Sequence, residues 1–210
     1  FSGSETALTG GFANIDNLLG SSANNDRLTG VNAPGIFRLG TGQDAAIPEY
    51  ESGGKILTFS SIENLYGGSA DDLFEIRGRQ SYNLYGGAGN DTFKFIGVAE
   101  LNGTIDGGSG VNTLNYKEYQ TTDSNGVTIN LGKGEATGIT GKVSSIQSII
   151  CSQFEDEIIG DRDNTFVFED GWGESYINLG QGLNILDFSQ VTADLTITIG
   201  AESILITDGT

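Results

Sequence analysis

Apolar and polar residues alternate along this chain in short runs. Ile56-Leu57-Thr58-Phe59, Val127-Thr128-Ile129-Asn130-Leu131, Thr165-Phe166-Val167-Phe168, Ile185-Leu186-Asp187-Phe188 and Leu195-Thr196-Ile197-Thr198-Ile199 all include or approach that form. A period of two sends one set of side chains to a buried face and the other to water, so each run predicts a short strand. The runs are rich in β-branched and aromatic residues, which strands favour. Glycine interrupts nearly every window long enough for an amphipathic helix and disfavours helix interiors. The expected fold class is all-β, with little or no helix.

The runs recur in a fixed order. An opening phrase occurs at Ile15-Asp16-Asn17-Leu18-Leu19-Gly20, Ile62-Glu63-Asn64-Leu65-Tyr66-Gly67 and Ile146-Gln147-Ser148-Ile149-Ile150-Cys151. An aspartate follows each, at Asp26, Asp72 and Asp156, with one extra residue in the first copy. A second phrase is a short strand running into a glycine turn that ends in Asp or Asn. It closes on Asp44, Asp91, Asn112 and Asn184. A third phrase joins an apolar strand to a second alternating strand, as Leu114-Asn115-Tyr116 before residues 127–131 and Leu186-Asp187-Phe188 before residues 195–199. These phrases divide residues 1–210 into three related blocks, 1–59, 60–143 and 144–210, read as one continuous unit.

Spacing gives the architecture. Asp26 to Asp44 is 18 residues, Asp72 to Asp91 is 19, Asp91 to Asn112 is 21 and Asn164 to Asn184 is 20. Two nonapeptides, roughly 18 residues, make one full coil of a parallel β-roll. The pattern therefore predicts an elongated parallel β-solenoid of roll type, with these Asp and Asn residues stacked on one edge. The other edge, at Arg77-Gly78-Arg79-Gln80 and from Gly97 to Gly103, reads as degraded.

Charge narrows the function. Ten Lys and Arg stand against 28 Asp and Glu, for a formal net charge of −18. That balance disfavours nucleic acid and anionic membrane surfaces. No apolar stretch is long enough to span a membrane as a helix, so membrane insertion is not expected. The chain has no histidine, which removes Ser-His-Asp chemistry and histidine-ligated zinc. Cys151 is the one cysteine, so no internal disulfide forms. The first residue is Phe1, and the chain reads as a processed or excised part of a longer secreted protein.

Residues 86–94, GGAGNDTFK, fit the nonapeptide G-G-x-G-x-D-x-U-x without a mismatch. Residues 67–75, GGSADDLFE, depart from it only at Ala70, and residues 107–115, GGSGVNTLN, only at Asn112. On these motifs the chain resembles hemolysin-type, repeats-in-toxin calcium-binding proteins, in the degenerate form found in large secreted bacterial surface proteins. The resemblance covers about half the chain and is strongest in the middle block. It implies Ca²⁺ between successive turns. Asp72 and Asp91 would supply carboxylates, and Gly68, Ala70, Gly87 and Gly89 backbone carbonyls. A second site would involve Asn112, with one charge fewer and weaker binding. A further weak pair is Asp26 with Asp44.

Asp and Asn also cap turns through their side chains, and the exchange of Asp for Asn fits that role. Trp172 and the tyrosines Tyr66, Tyr82, Tyr85 and Tyr116 suit either packing between coils or an aromatic ligand face. The expected function is non-enzymatic: a structural module of a secreted or cell-surface bacterial protein, an adhesin stalk or extracellular filament subunit, stiffened by calcium. Head-to-tail self-association and a cell-surface or carbohydrate ligand are the expected partners. The alternative is a non-catalytic, carbohydrate-binding accessory domain of a polysaccharide-acting enzyme.

Overall fold

A computed structural model of the chain describes residues 15–40, 47–121, 125–173, 175–199 and 204–207. Every element among these residues is a strand. The first block contains β1 (Asn17–Leu19), β2 (Arg27–Thr29), β3 (Gly35–Leu39), β4 (Glu49–Ser52) and β5 (Lys55–Ser60). The middle block contains β6 (Asn64–Tyr66), β7 (Leu73–Gln80), β8 (Asn83–Ala88), β9 (Thr92–Leu101), β10 (Ile105–Ser109), β11 (Thr113–Tyr119), β12 (Thr128–Asn130) and β13 (Glu135–Ala136). Next come β14 (Val143–Ser144), β15 (Ser148–Ile150), β16 (Glu157–Ile159), β17 (Thr165–Glu169), β18 (Tyr176–Asn178), β19 (Ile185–Gln190), β20 (Thr196–Ile199) and β21 (Ile204–Thr207).

Ten strands form one long sheet in the order β1-β5-β4-β3-β7-β9-β11-β15-β17-β19. A second sheet of five runs β14-β10-β8-β6-β2, and a third of four runs β13-β12-β16-β18. Through the middle block the chain alternates between sheets, so β6, β8 and β10 lie in the five-stranded sheet and β7, β9 and β11 in the long one. Each passage out and back makes one circuit. Pairing between circuits is parallel, as the spacing predicts. Leu73 pairs with Thr92 and Thr92 with Thr113, steps of 19 and 21 residues.

Two circuits are longer, and each carries a hairpin. Ile36 pairs with Leu73, 37 residues on, and the antiparallel hairpin β4–β5 fills the interval and joins the long sheet. Its turn uses Gly53 and Gly54, both at positive φ (58° and 73°), the backbone that two-residue hairpin turns require. Thr113 pairs with Ser148, 35 residues on, and the hairpin β12–β13 lies between. The sequence predicts strands in both places; the antiparallel pairing is the structure's addition.

Alternation explains the core. In β17, TFVFE, Phe166 and Phe168 point inward and are buried, while Thr165, Val167 and Glu169 are half-buried. Register then stacks like on like. Phe37, Phe74 and Phe93 form a column with ring centroids 4.8 and 4.9 Å apart. The column continues through Leu114, Ile149 and Phe166, all fully buried. Each such side chain contributes about 1.5–3 kcal/mol by leaving water. On the outer face of the long sheet, Arg38 bridges Glu49, Glu51 and Glu75, and Lys94 pairs with Glu118. These pairs are solvated and contribute little.

Candidate functional site

Every circuit meets the long sheet at one corner, and one residue per circuit occupies the same place there. The column runs Gly35, Asp72, Asp91, Asn112, Gln147, Asn164 and Asn184, each immediately preceding the register of β3, β7, β9, β11, β15, β17 and β19. Of the predicted stack, Asp72, Asp91, Asn112, Asn164 and Asn184 lie in this column. Gln147 was not foreseen, because its side chain is longer and its turn lacks glycine. Asp44 lies outside the described residues, and with it the Asp26–Asp44 pair.

The column is a hydrogen-bonded ladder. Five of its six side chains reach back one circuit and accept the backbone N–H of their equivalent, whereas Asn164 Oδ1 accepts the Asp161 and Arg162 N–H groups of its own turn at 3.0 and 3.3 Å. Asp72 Oδ1 accepts from Gly35 N–H at 2.7 Å, Asp91 Oδ1 from Asp72 N–H at 2.8 Å and Asn112 Oδ1 from Asp91 N–H at 2.9 Å. Gln147 Oε1 accepts from Asn112 N–H at 2.9 Å, and Asn184 Oδ1 from Asn164 N–H at 3.0 Å. The carbonyls return the favour: Thr92, Thr113 and Ser148 N–H donate to Asp72, Asp91 and Asn112 oxygens. Asp72, Asp91, Asn112 and Asn164 are buried, so these groups need partners.

This geometry explains the Asp-to-Asn exchange. Only an acceptor at Oδ1 is needed for the ladder, and both residues have one. The second atom differs. Asp72 Oδ2 accepts the Gly68 N–H at 2.6 Å, whereas Asn112 Nδ2 donates to the Ser145 carbonyl at 3.1 Å. Asp91 Oδ2 has no partner and is the one buried carboxylate oxygen in that state among the described residues. Burial raises the pKa of Asp91 from 3.8 to about 6, and the neighbouring Asp72 and Asp71 charges push the same way; the Asp72 N–H bond opposes them. Asp72 is also raised by burial, against the bonds from Gly68 and Gly35.

The predicted carbonyls are brought to the same corner. A Cβ on Gly87 would lie 2.4 Å from the Gly68 oxygen, and one on Gly89 2.6 Å from the Ala70 oxygen. Both glycines have positive φ, 105° and 112°. Successive turns therefore stack backbone on backbone, and only glycine fits. Gly68 O accepts the Ala88 N–H at 3.1 Å. The donor set is all oxygen, which suits a hard cation. Both Asp72 oxygens are already engaged by N–H groups, while Asp91 Oδ2 is free. Asp91 Oδ2 is therefore the carboxylate oxygen of this set without any partner, and each Asp72 oxygen accepts one N–H and keeps a second lone pair. Among the described residues no three acidic, Cys or His side chains converge as a metal cluster.

The repeated opening phrase divides between the two corners. β1 and β15, from the phrases at Ile15 and Ile146, lie in the long sheet, whereas β6, from Ile62, lies in the five-stranded one. Asp26 and Asp156 consequently sit at the corner opposite Asp72. Both accept the N–H of a serine in the preceding turn, Ser21 at 2.6 Å and Ser152 at 2.9 Å. Strand, tight turn and capping carboxylate form the same local solution at either corner, so sequence alone does not tell the corners apart. Cys151 fills a glycine position before Asp156. Burial pushes its thiol well up, which leaves it unreactive.

Two further columns run parallel to the first. Asp71 Oδ1 accepts the Asn90 N–H and Asn90 Oδ1 the Val111 N–H, both on the exposed side. At the far corner Asn64 Nδ2 donates to Asn25, Asn83 Nδ2 to Asn64, and Thr104 N–H and Oγ1–H to Asn83. Asn64 belongs to the opening phrase, and that repetition was the available signal.

The aromatic residues pack on one another. Tyr66 and Tyr85 stack at 4.1 Å, and the Arg27 guanidinium covers the Tyr66 ring at 3.7 Å. Tyr116 stacks on Phe95 at 5.0 Å, and Tyr82 meets Phe59 edge-on at 6.4 Å. Trp172 packs edge-on against Phe168 and Phe188, at 5.2 and 5.4 Å.

No family model matches the chain, and no curated protein matches it by sequence.

Proposed function

We propose that this chain is a structural module, a parallel β-solenoid of roll type whose circuits are its coils. The observation that supports this reading is the column from Gly35 to Asn184, in which five of the six steps between coils carry the same side-chain-to-backbone bond. Such a stack buries faces only against neighbours, so it extends and stiffens in one dimension. The setting that suits it is a secreted or cell-surface bacterial protein, as an adhesin stalk or filament subunit without catalysis. Calcium is a stiffening cofactor at Asp91, whose buried Oδ2 has no partner and feels the charges of Asp72 and Asp71. The carbohydrate-binding alternative is less well supported, because Tyr66 is covered by Tyr85 and Arg27 and Trp172 packs against Phe168 and Phe188, although Tyr176 is exposed.

Removal of one coil tests the reading. Leu84 pairs with Ile105, so deleting residues 84–104 joins Asn83 to Ile105 in register. A solenoid is expected to close over the gap, with β7 against β11, and to give a strand-type circular dichroism spectrum and a cooperative melt. A fold with a non-repeating core loses its centre and gives an unfolded or aggregated product, which would overturn the proposal.

A further inference from the structure

Strands near the two ends of the described residues repeat the two sides of an internal junction. Inside the chain β15 and β16 stack on β11 and β12, with Leu114 paired to Ile149, Asn115 to Ile150 and Ile129 to Ile158. At the C-terminal side β19 and β20 repeat β11 and β12. β11 and β19 each follow a column asparagine, Asn112 or Asn184. β12 and β20 are each paired antiparallel to the strand after them, β13 or β21.

At the N-terminal side β1 and β2 repeat β15 and β16. Leu18-Leu19-Gly20-Ser21 corresponds to Ile149-Ile150-Cys151-Ser152. The turns that follow share their hydrogen bonds. The serine N–H groups cap Asp26 and Asp156, and Ala23 and Phe154 N–H both donate to the serine Oγ at 3.1 Å.

Among the described residues the matching strand edges have no strand partner, with Leu28 of β2 already buried and Leu19 and Ile197 exposed. β1 and β19 are the outermost strands of the long sheet, β2 ends the five-stranded sheet, and β20 pairs only with β21 among the described residues. Ile129, covered at the internal junction, is fully buried, whereas its counterpart Ile197 is 57 % exposed. Leu19 is 72 % exposed, whereas its counterpart Ile150 is half-buried.

We infer that a second copy of this chain docks head to tail, with β1 and β2 of one copy on β19 and β20 of the other, in the register of the internal junction. Leu18 then meets Leu186, Leu19 lies beside Asp187 and Leu28 meets Ile197. Asp16 takes the place of Gln147, whose Oε1 accepts the Asn112 N–H, and receives the N–H of Asn184. The contact joins different faces, so it propagates as a linear filament and does not close as a dimer. This inference rests on the solenoid reading above.

Disulfide trapping separates the two. Neighbouring parallel strands lie about 4.8 Å apart, within the Cα range of roughly 4.4–6.8 Å that a disulfide spans. In a Cys151→Ser background, Leu19→Cys with Asp187→Cys is expected to give a ladder of covalent dimers, trimers and longer species on mild oxidation. Mixing the two single variants gives dimers alone. The internal pair Asn115→Cys with Ile150→Cys is expected to close within one chain. If the internal pair closes and the terminal pair links no faster than Val98→Cys with Asp187→Cys, the head-to-tail inference falls and the solenoid stands. If neither pair closes in folded protein, the solenoid reading falls as well.

Discussion

Asp91 Oδ1 accepts the backbone N–H of Asp72 at 2.8 Å, while Oδ2 of the same carboxylate is buried without a partner. One oxygen serves the ladder and the other is the one we propose for calcium, so the two roles can be separated by substitution. Asp91→Asn keeps the acceptor and removes the charge. Without calcium it is expected to melt at or above the wild-type temperature. With calcium at about a hundred times its dissociation constant, wild type is expected to gain about 2.7 kcal/mol, or roughly 5–10 °C at this chain length. Asp91→Asn should gain little, Asp91→Ala should lose both roles, and Asp26→Ala should keep the calcium response. Melts followed by circular dichroism in calcium and in chelator check this; an unchanged wild-type melt removes calcium from the proposal, and equal effects at Asp91 and Asp26 remove the site ranking.

The same carboxylate sets a pH dependence. Its pKa is raised in the fold, from 3.8 to about 6. Between these values the folded chain holds a proton that the unfolded chain has released, so stability from this group is present below about pH 4 and falls as pH rises through 6. The loss is on the order of 1–3 kcal/mol. Asp72, raised in the same direction, adds to it. Urea melts of calcium-free protein should therefore show stability declining from pH 4.5 to 7, with a smaller decline in Asp91→Asn. A parallel decline in both proteins would place the effect in the general repulsion of a chain with net charge −18.

Much of this fold was legible because its two signals, alternation and fixed spacing, are local. Phe93 is the large apolar residue of the nonapeptide and lies in the buried phenylalanine column; Asp72, Asp91 and Asn112 stack as their spacing predicts. What was not legible depends on long-range choice. The phrases at Ile15 and Ile62 look alike yet lie in different sheets, because each corner of a circuit needs the same turn chemistry. Gln147 entered the column without a glycine turn, since its longer side chain reaches the Asn112 N–H from a different backbone path. The β4–β5 hairpin was hidden in the same way: Gly53-Gly54 marks a turn, but not which sheet its strands join.

Close backbone stacking makes the column's glycines unequal to those elsewhere. A methyl group on Gly89 would sit 2.6 Å from the Ala70 carbonyl, on a backbone with φ of 112°. Gly97 also has positive φ, 64°, but a methyl there meets nothing within 4 Å. Gly97→Ala should therefore cost only the left-handed backbone penalty, about 1–2 kcal/mol. Gly89→Ala adds a clash between two backbones that neither can relieve by rotating a side chain, and is expected to cost at least about 3 kcal/mol. Urea denaturation of the two variants checks the order; equal losses would show that the turns do not stack as closely as described.

The far-corner amides give the last test, because Asn83 uses both ends of its side chain. Nδ2 donates to Asn64 at 3.0 Å, and Oδ1 accepts from Thr104 N–H at 3.2 Å and from its hydroxyl at 3.1 Å. Asn83→Asp is nearly isosteric and keeps the acceptor, yet it sets a carboxylate oxygen against the oxygen of Asn64. Two acceptors then face each other with no proton between them at neutral pH. The expected loss is about 1–3 kcal/mol at pH 7, shrinking toward pH 4, where the new carboxyl gains a proton and can donate to Asn64. Asn83→Ala loses both bonds and shows no such recovery. The pH dependence of the difference between the two variants, read from paired urea melts, separates a bonded amide ladder from side chains that merely share a surface. If Asn83→Asp matches wild type at both pH values, the ladder makes no contribution to stability.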